Sequence, residues 1–124
     1  MSFNVLIVDD DFINRKLVNA LLKKHPNLIG KMTEAENGAE ALNIIKEDSS
    51  INLILLDIMM PILDGKEFLK IFRSEQENNA TPVIVLSTDD TQRTAVFNYG
   101  ADAFLLKPIK ENELIPAIRQ WVTE

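Results

Sequence analysis

The sequence predicts an α/β fold, a (βα)5 doubly wound domain with a five-stranded parallel sheet, occupying residues 1–124 as one unit. Three observations predict it. Strand-like and helix-like segments alternate from end to end. The runs Val5-Leu6-Ile7-Val8 and Leu53-Ile54-Leu55-Leu56 are apolar without alternation, as expected of strands covered on both faces. Both lead into aspartates, Asp9-Asp10-Asp11 and Asp57, at the carboxyl edge where open α/β sheets bind ligands.

The elements follow in order. Phe3 to Val8 is the first strand. Phe12 to His25 is a helix, with Ile13, Leu17, Ala20, Leu21 and Lys24 marking the face expected to turn inward. Asp10 or Asp11 can cap its start, and Pro26 stops it. A weaker strand covers Ile29 to Ala35. Asn37-Gly38 then turns the chain into a short helix, Ala39 to Glu47, with Ala41, Leu42 and Ile45 inward. The third strand is Leu53 to Asp57.

Beyond a loop carrying Pro61 and Asp64-Gly65, a helix from about Lys66 to Gln76 should bury Phe68, Leu69 and Phe72 before Asn78-Asn79 breaks it. Pro82 opens the fourth strand, Val83 to Ser87. A helix over Thr91 to Tyr99 follows, with Gly100 suited to a left-handed C-terminal residue. Ala103 to Leu106 is the fifth strand. The last helix runs to about Val122, packing Leu114, Ile118 and Trp121. Pro116 costs that helix little if it begins near Asn112, and removes an internal hydrogen bond if it begins near Lys110. All crossovers should be right-handed.

Composition narrows the function classes. Apolar residues make up 46% of the chain, too many for a disordered tail. No stretch reaches the length of a membrane span and the start lacks a signal-peptide pattern. There is no cysteine, so disulfides and thiolate metal sites are out; a cytoplasmic location is expected. The net charge of −6 argues against direct nucleic-acid binding, which needs a basic patch.

Four strand ends should share one crevice: Asp9 and Asp10 after the first strand, Asp57 on the third, Ser87 on the fourth, Lys107 after the fifth. Carboxylates this close resist ionising together unless a cation neutralises them. Oxygen donors without His or Cys suit a hard ion such as Mg²⁺. A carboxylate beside it can attack phosphorus to form an acyl phosphate. Lys107 and Ser87 would meet charge on the transferred oxygens.

In Val8-Asp9-Asp10, Asp57 with Met60-Pro61 and Asp64-Gly65, Ser87, Gly100-Ala101-Asp102-Ala103 and Lys107-Pro108, the whole chain resembles a response-regulator receiver domain of two-component signalling. It is similar to the single-domain chemotaxis regulators. The resemblance implies a flavodoxin-like sheet of strand order 2-1-3-4-5. It implies that Asp57 accepts a phosphoryl group from a phosphohistidine. Asp10 and Asp57 would ligate Mg²⁺ directly, joined by the backbone carbonyl of Met59, with Asp9 acting through water. Lys107 would pair with Asp57 and later contact the phosphoryl group. Ser87 would move toward a phosphoryl oxygen, and Phe104 would turn inward into the vacated space. The Lys107-Pro108 bond is expected to be cis. The output surface would be the face of the fourth helix, fifth strand and fifth helix.

The partners implied are a sensor histidine kinase or a histidine phosphotransfer protein and an unidentified downstream protein, with a phosphorylation-dependent dimer as an option. The stretch through Asn14-Arg15 resembles receivers of hybrid kinases. The chain is therefore expected to be a stand-alone regulator or a receiver segment of a larger protein, with no output domain after Glu124. It would be a switch rather than an enzyme, catalysing only its own phosphoryl transfer and self-dephosphorylation.

Departures from the family pattern matter. Ser87 replaces the commoner threonine, Thr88 stands where alanine is frequent, and Phe104 stands where tyrosine is frequent. Met59 and Asp89 occupy positions that tune dephosphorylation in the family, and apolar Met59 implies slow self-hydrolysis.

Rival readings are weaker. A phosphohydrolase of the haloacid dehalogenase kind needs an acid two residues after its nucleophile, where Met59 stands. A flavin binder needs a phosphate cradle, but the segment after the first strand is acidic. A receiver that works as a phosphorylation-independent adaptor keeps the fold without the chemistry. His25, the only histidine, is read as solvated and no phosphoryl carrier.

Overall fold

The computed structural model describes residues 2–75 and 80–122. Five parallel strands form one sheet in the order β2-β1-β3-β4-β5: β1 Phe3–Val8, β2 Ile29–Ala35, β3 Leu53–Asp57, β4 Val83–Ser87 and β5 Ala103–Leu106. The helices between and after them are α1 Phe12–Lys23, α2 Gly38–Glu47, α3 Gly65–Ser74, α4 Arg93–Asn98 and α5 Glu111–Arg119.

The unbroken apolar strands split their side chains between two layers because successive residues point to opposite faces. Leu6, Val8, Ile54, Leu56, Val83 and Val85 enter one core with Ala41, Phe68, Leu69, Phe72 and Val96. Val5, Ile7, Leu53, Leu55, Ile84 and Leu86 enter the other with Val18, Leu22, Leu114, Ile115 and Ile118. Thus α2, α3 and α4 cover one face, and α1 and α5 the other. Among the described residues no helix is long and apolar enough to cross a membrane.

Asp11, Asn37 and Asp64 cap α1, α2 and α3 by accepting the backbone N–H groups of Ile13, Glu40 and Glu67. Gly65 begins α3 against β3, where a Cβ would lie 2.6 Å from the Asp57 carbonyl oxygen. Any larger residue would push the helix off the strand that carries Asp57. Gly100 has φ +108°, the conformation expected of it past α4.

Several sequence expectations need correction. The inward face of α1 is Arg15, Val18 and Leu22; Ile13 and Leu17 are 63% and 61% exposed, Ala20 and Lys24 are exposed and Leu21 is half-buried. This helix carries apolar residues on two sides, and a charged residue on the buried side made the other look like the core stripe. The segment expected to open α4 is a 3-10 turn, Asp90–Gln92, capped by the Asp89 carboxylate. The α5 helix stops at Arg119 and not near Val122, although Trp121, half-buried just beyond it, packs against the core with Leu114 and Ile118 as expected. Pro116 lies inside α5, which starts at Glu111. His25 is half-buried, with Nε2 2.7 Å from Glu111 Oε2. Gln76 and Asn78-Asn79 lie outside the described residues; α3 ends at Ser74.

Candidate functional site

The strand order places β1 beside β3, and the chain departs in opposite directions from there, leaving a crevice at their carboxyl ends. Val8 is in register with Leu56, and Asp57 with Leu86, so the next residues of β1 and β3 emerge side by side. One carboxylate oxygen from each of Asp9, Asp10 and Asp57 lies within 4.8 Å of the others. Asp9 and Asp57 are buried while Asp10 is exposed.

Lys107 enters from the far side. Its backbone N–H donates to the Ser87 carbonyl at 2.8 Å, which ties the end of β5 to the end of β4. Its Nζ donates to Asp9 Oδ2 at 3.0 Å and stands 3.6 Å from Asp57 Oδ1. Asp9 Oδ1 accepts the Asp11 N–H at 2.9 Å. The lysine's hydrogen bond therefore goes to Asp9, and its contact with Asp57 is the longer ion pair. The Lys107–Pro108 peptide is cis, as expected.

Burial pushes the Asp57 carboxyl up to about 6, opposed by Lys107 and the Met59 N–H and reinforced by Asp9 and Asp10. That N–H donates to Asp57 Oδ1 at 3.4 Å. Repelling carboxylates, oxygen-only donors and an adjoining cleft of about 360 Å³ lined by Asp10, Met59, Asp64 and Lys66 fit a partly hydrated hard cation.

Ser87 is fully buried, and its Oγ accepts the Asp89 N–H at 3.0 Å. Phe104 is already turned inward, 6% exposed, with the Arg93 guanidinium 4.6 Å from its ring centroid. Thr88 is exposed and Met59 is 67% exposed. The Asp89 carboxylate is occupied by Thr91, whose N–H and hydroxyl both donate to it, and these bonds lower its pKa.

Sequence reasoning missed Arg15, whose buried side chain reaches the Asp9 carbonyl. It also missed the bridge from Lys66 Nζ to Gln92 Oε1, 3.1 Å, which ties the first turn of α3 to the 3-10 turn before α4. Neither has a local signal: Glu34, which holds Arg15, is 19 residues away, and Gln92 is 26 residues from Lys66.

The family model for the response regulator receiver domain matches residues 5–119. The chain belongs to this family. The receiver domain is 37% identical over 123 residues to hybrid signal transduction histidine kinase E of Dictyostelium discoideum, a match covering 95% of this chain and 7% of that protein. It superimposes on the chemotaxis response regulator CheY4 of Vibrio cholerae with a TM-score of 0.86 and 26% identity, covering 98% of this chain and 100% of that one. A chain from the Saccharomyces cerevisiae co-crystal of the histidine phosphotransfer protein Ypd1 with the receiver domain of Ssk1 gives a TM-score of 0.85 and 30% identity. That match covers 97% of this chain and 88% of the other. The receiver spans 7%, 52% and 6% of the lengths of the first three curated relatives it matches. It is a receiver domain of two-component signalling, a class that includes receivers of hybrid kinases.

Proposed function

We propose that the domain is a phosphorylation-dependent switch in which Asp57 takes a phosphoryl group from a phosphohistidine. The observation that carries this reading is the convergence of Asp9, Asp10 and Asp57 with Lys107 at one sheet edge. Asp57 Oδ1 faces Lys107 and the Met59 N–H, leaving Oδ2 to attack phosphorus. A P–O bond forms as the P–N bond breaks, its electron pair returning to the imidazole nitrogen. Lys107 and Ser87 then meet charge on the phosphoryl oxygens.

Asp10, Asp57 and the Met59 carbonyl would hold Mg²⁺, with Asp9 acting through water. When bound, Mg²⁺ neutralises the carboxylates and the phosphoryl oxygens. The chemistry is confined to the domain's own phosphoryl group, so we class it as a switch and not an enzyme. Ser87 moving toward the phosphoryl group would draw the β4–α4 loop with it through the Asp89 N–H, altering the α4-β5-α5 surface offered to a downstream protein.

The donor is a sensor kinase or a histidine phosphotransfer protein. Ile13 and Leu17 on α1, the helix that follows Asp9–Asp11, and Ile62 in the loop that follows Asp57 are all more than half exposed, which suits an apolar helical partner. The Ssk1 receiver's assembly with Ypd1 supports that choice. The hybrid-kinase relative favours a second reading, in which the domain relays its phosphoryl group onward to a histidine.

The test is intact-mass measurement after incubation with acetyl phosphate and Mg²⁺, beside Asp57→Asn and a metal-free sample. One phosphoryl adduct that requires Mg²⁺ and is lost in the variant is expected. No adduct under any condition would leave a phosphorylation-independent adaptor. Transfer from the labelled domain to a histidine phosphotransfer protein would identify the relay.

A further inference from the structure

Among the described residues four polar side chains are buried: Asp9, Asp57, Ser87 and Arg15. The first three belong to the site. Arg15 lies on α1 and is 6% exposed, so its guanidinium has given up water and needs its donors answered. Nε donates to Glu34 Oε1 at 2.9 Å, and Nη1 donates to the backbone carbonyl of Asp9 at 2.7 Å. Glu34 is itself held by Lys16 Nζ at 2.7 Å and Asn19 Nδ2 at 3.4 Å. Burial raises its pKa, but hydrogen bonds from Lys16 and Arg15 bring it below the ordinary value. The acid is thus kept charged as an anchor on β2.

The Asp9 carbonyl belongs to the planar peptide unit that joins Asp9 to Asp10. Holding its oxygen restrains that plane and with it the Asp10 Cα, the point from which the side chain departs. The Asp9 carboxylate has its own restraints, the Asp11 N–H and Lys107. Asp10 has none: it is exposed and makes no side-chain hydrogen bond among the described residues. Repulsion from Asp9 and Asp57 would swing it outward. What aims it is its backbone, and what grips that backbone from the helix side is Arg15.

We propose that Arg15, anchored by Glu34, is a positioning residue for the cation site, holding the Asp9–Asp10 peptide so that Asp10 points into the acidic cluster. The inference rests on the reading that this cluster binds Mg²⁺. Removing a group that orients a metal ligand weakens metal affinity by about 10–100-fold. A residue that only ties α1 to β2 would lower stability and leave the affinity of folded molecules unchanged.

The test is Mg²⁺ titration calorimetry, with Mn²⁺ as a second probe, on the unaltered domain, Arg15→Gln, Glu34→Gln and Asp10→Asn. Urea unfolding in chelator is run in parallel. The Mg²⁺ dissociation constant should rise about tenfold or more in Arg15→Gln, and in the same direction in the near-isosteric Glu34→Gln. The Arg15→Gln/Glu34→Gln double variant, titrated beside them, should add little to either single change, because the two residues act as one unit. Unchanged dissociation constants beside a lower stability would overturn the proposal. Should Arg15→Gln not fold, the Glu34→Gln titration decides it. Failure of the unaltered domain to bind Mg²⁺, or tight binding by Asp10→Asn, would overturn the cation reading and this inference with it. Normal binding by the unaltered domain with unchanged variants would overturn this inference alone.

Discussion

The ammonium of Lys107 lies 3.0 Å from Asp9 Oδ2 and 3.6 Å from Asp57 Oδ1, so the acid that takes its hydrogen bond is not the proposed acceptor. All three side chains are nearly buried, at 14%, 7% and 9% exposure. Removing one partner from a buried charge pair leaves the other uncompensated, at a cost of about 3–5 kcal/mol. Here the remaining charges are two buried acids beside a third. Lys107→Gln should lose about 3 kcal/mol of metal-free stability, and Mg²⁺ should restore part of it. Urea unfolding with and without Mg²⁺ measures both. A loss indifferent to Mg²⁺ would assign the lysine to packing instead.

Asp57 gives the pH dependence its sign. Its carboxyl is raised from 3.8 to about 6 in the fold, so the native state binds the proton more tightly than the unfolded chain. That contribution is fully present below about pH 4 and is lost as pH rises through about 6. Asp57→Asn keeps the shape without the buried charge. In chelator it should be more stable than the unaltered domain at pH 7, by roughly 1–3 kcal/mol, with the advantage vanishing near pH 4. Denaturation midpoints across that range are the measurement. An Asn variant that is less stable at pH 7 would show that Lys107 more than offsets the burial.

The strands and the site were legible in the sequence for one reason. Strands buried on both faces have no polar positions to blur them, and the polar residues that end them stand out. The helices were less legible, because which stripe of α1 faces the sheet depends on what lies beneath it. Arg15 drew no assignment to the interior, because its anchor Glu34 meets it only after β2 has paired with β1. His25 read as solvated for the same reason: Glu111 is 86 residues away in sequence. The inward setting of Phe104 under Arg93 also depends on a turn whose 3-10 geometry has no clear sequence mark.

Ile62 carries backbone strain in an exposed loop. The Leu63 N–H bonds back to the Pro61 carbonyl at 2.8 Å, closing a three-residue turn on Ile62 at φ +71°. That turn is rare and strained, and left-handed backbone costs an L residue about 1–2 kcal/mol. The side chain is 82% exposed, so little burial offsets it. Ile62→Gly should raise stability by about 0.5–1 kcal/mol once the looser unfolded chain is counted, read from the urea midpoint. If the isoleucine serves donor docking, the variant will be phosphorylated normally by acetyl phosphate and more slowly by a histidine phosphotransfer protein. Equal slowing with both donors would instead place the defect in the site.

The lifetime of the phosphoryl group should be long. Hydrolysis needs a water held in line behind phosphorus, and neither residue flanking the site supplies a free polar group for it. Met59 is apolar and exposed. The Asp89 carboxylate is tied down by the N–H and hydroxyl of Thr91 at 3.0 and 2.5 Å and by Gln92 at 3.4 Å. Met59→Asn places an amide where a water can be oriented, and should shorten the lifetime severalfold without slowing phosphorylation by acetyl phosphate. Decay of the adduct mass after removal of the phosphodonor measures it. A half-life of seconds in the unaltered domain would show that another group orients the water; Lys66 and Gln92 line the adjoining cleft, but their 3.1 Å bond would have to open first.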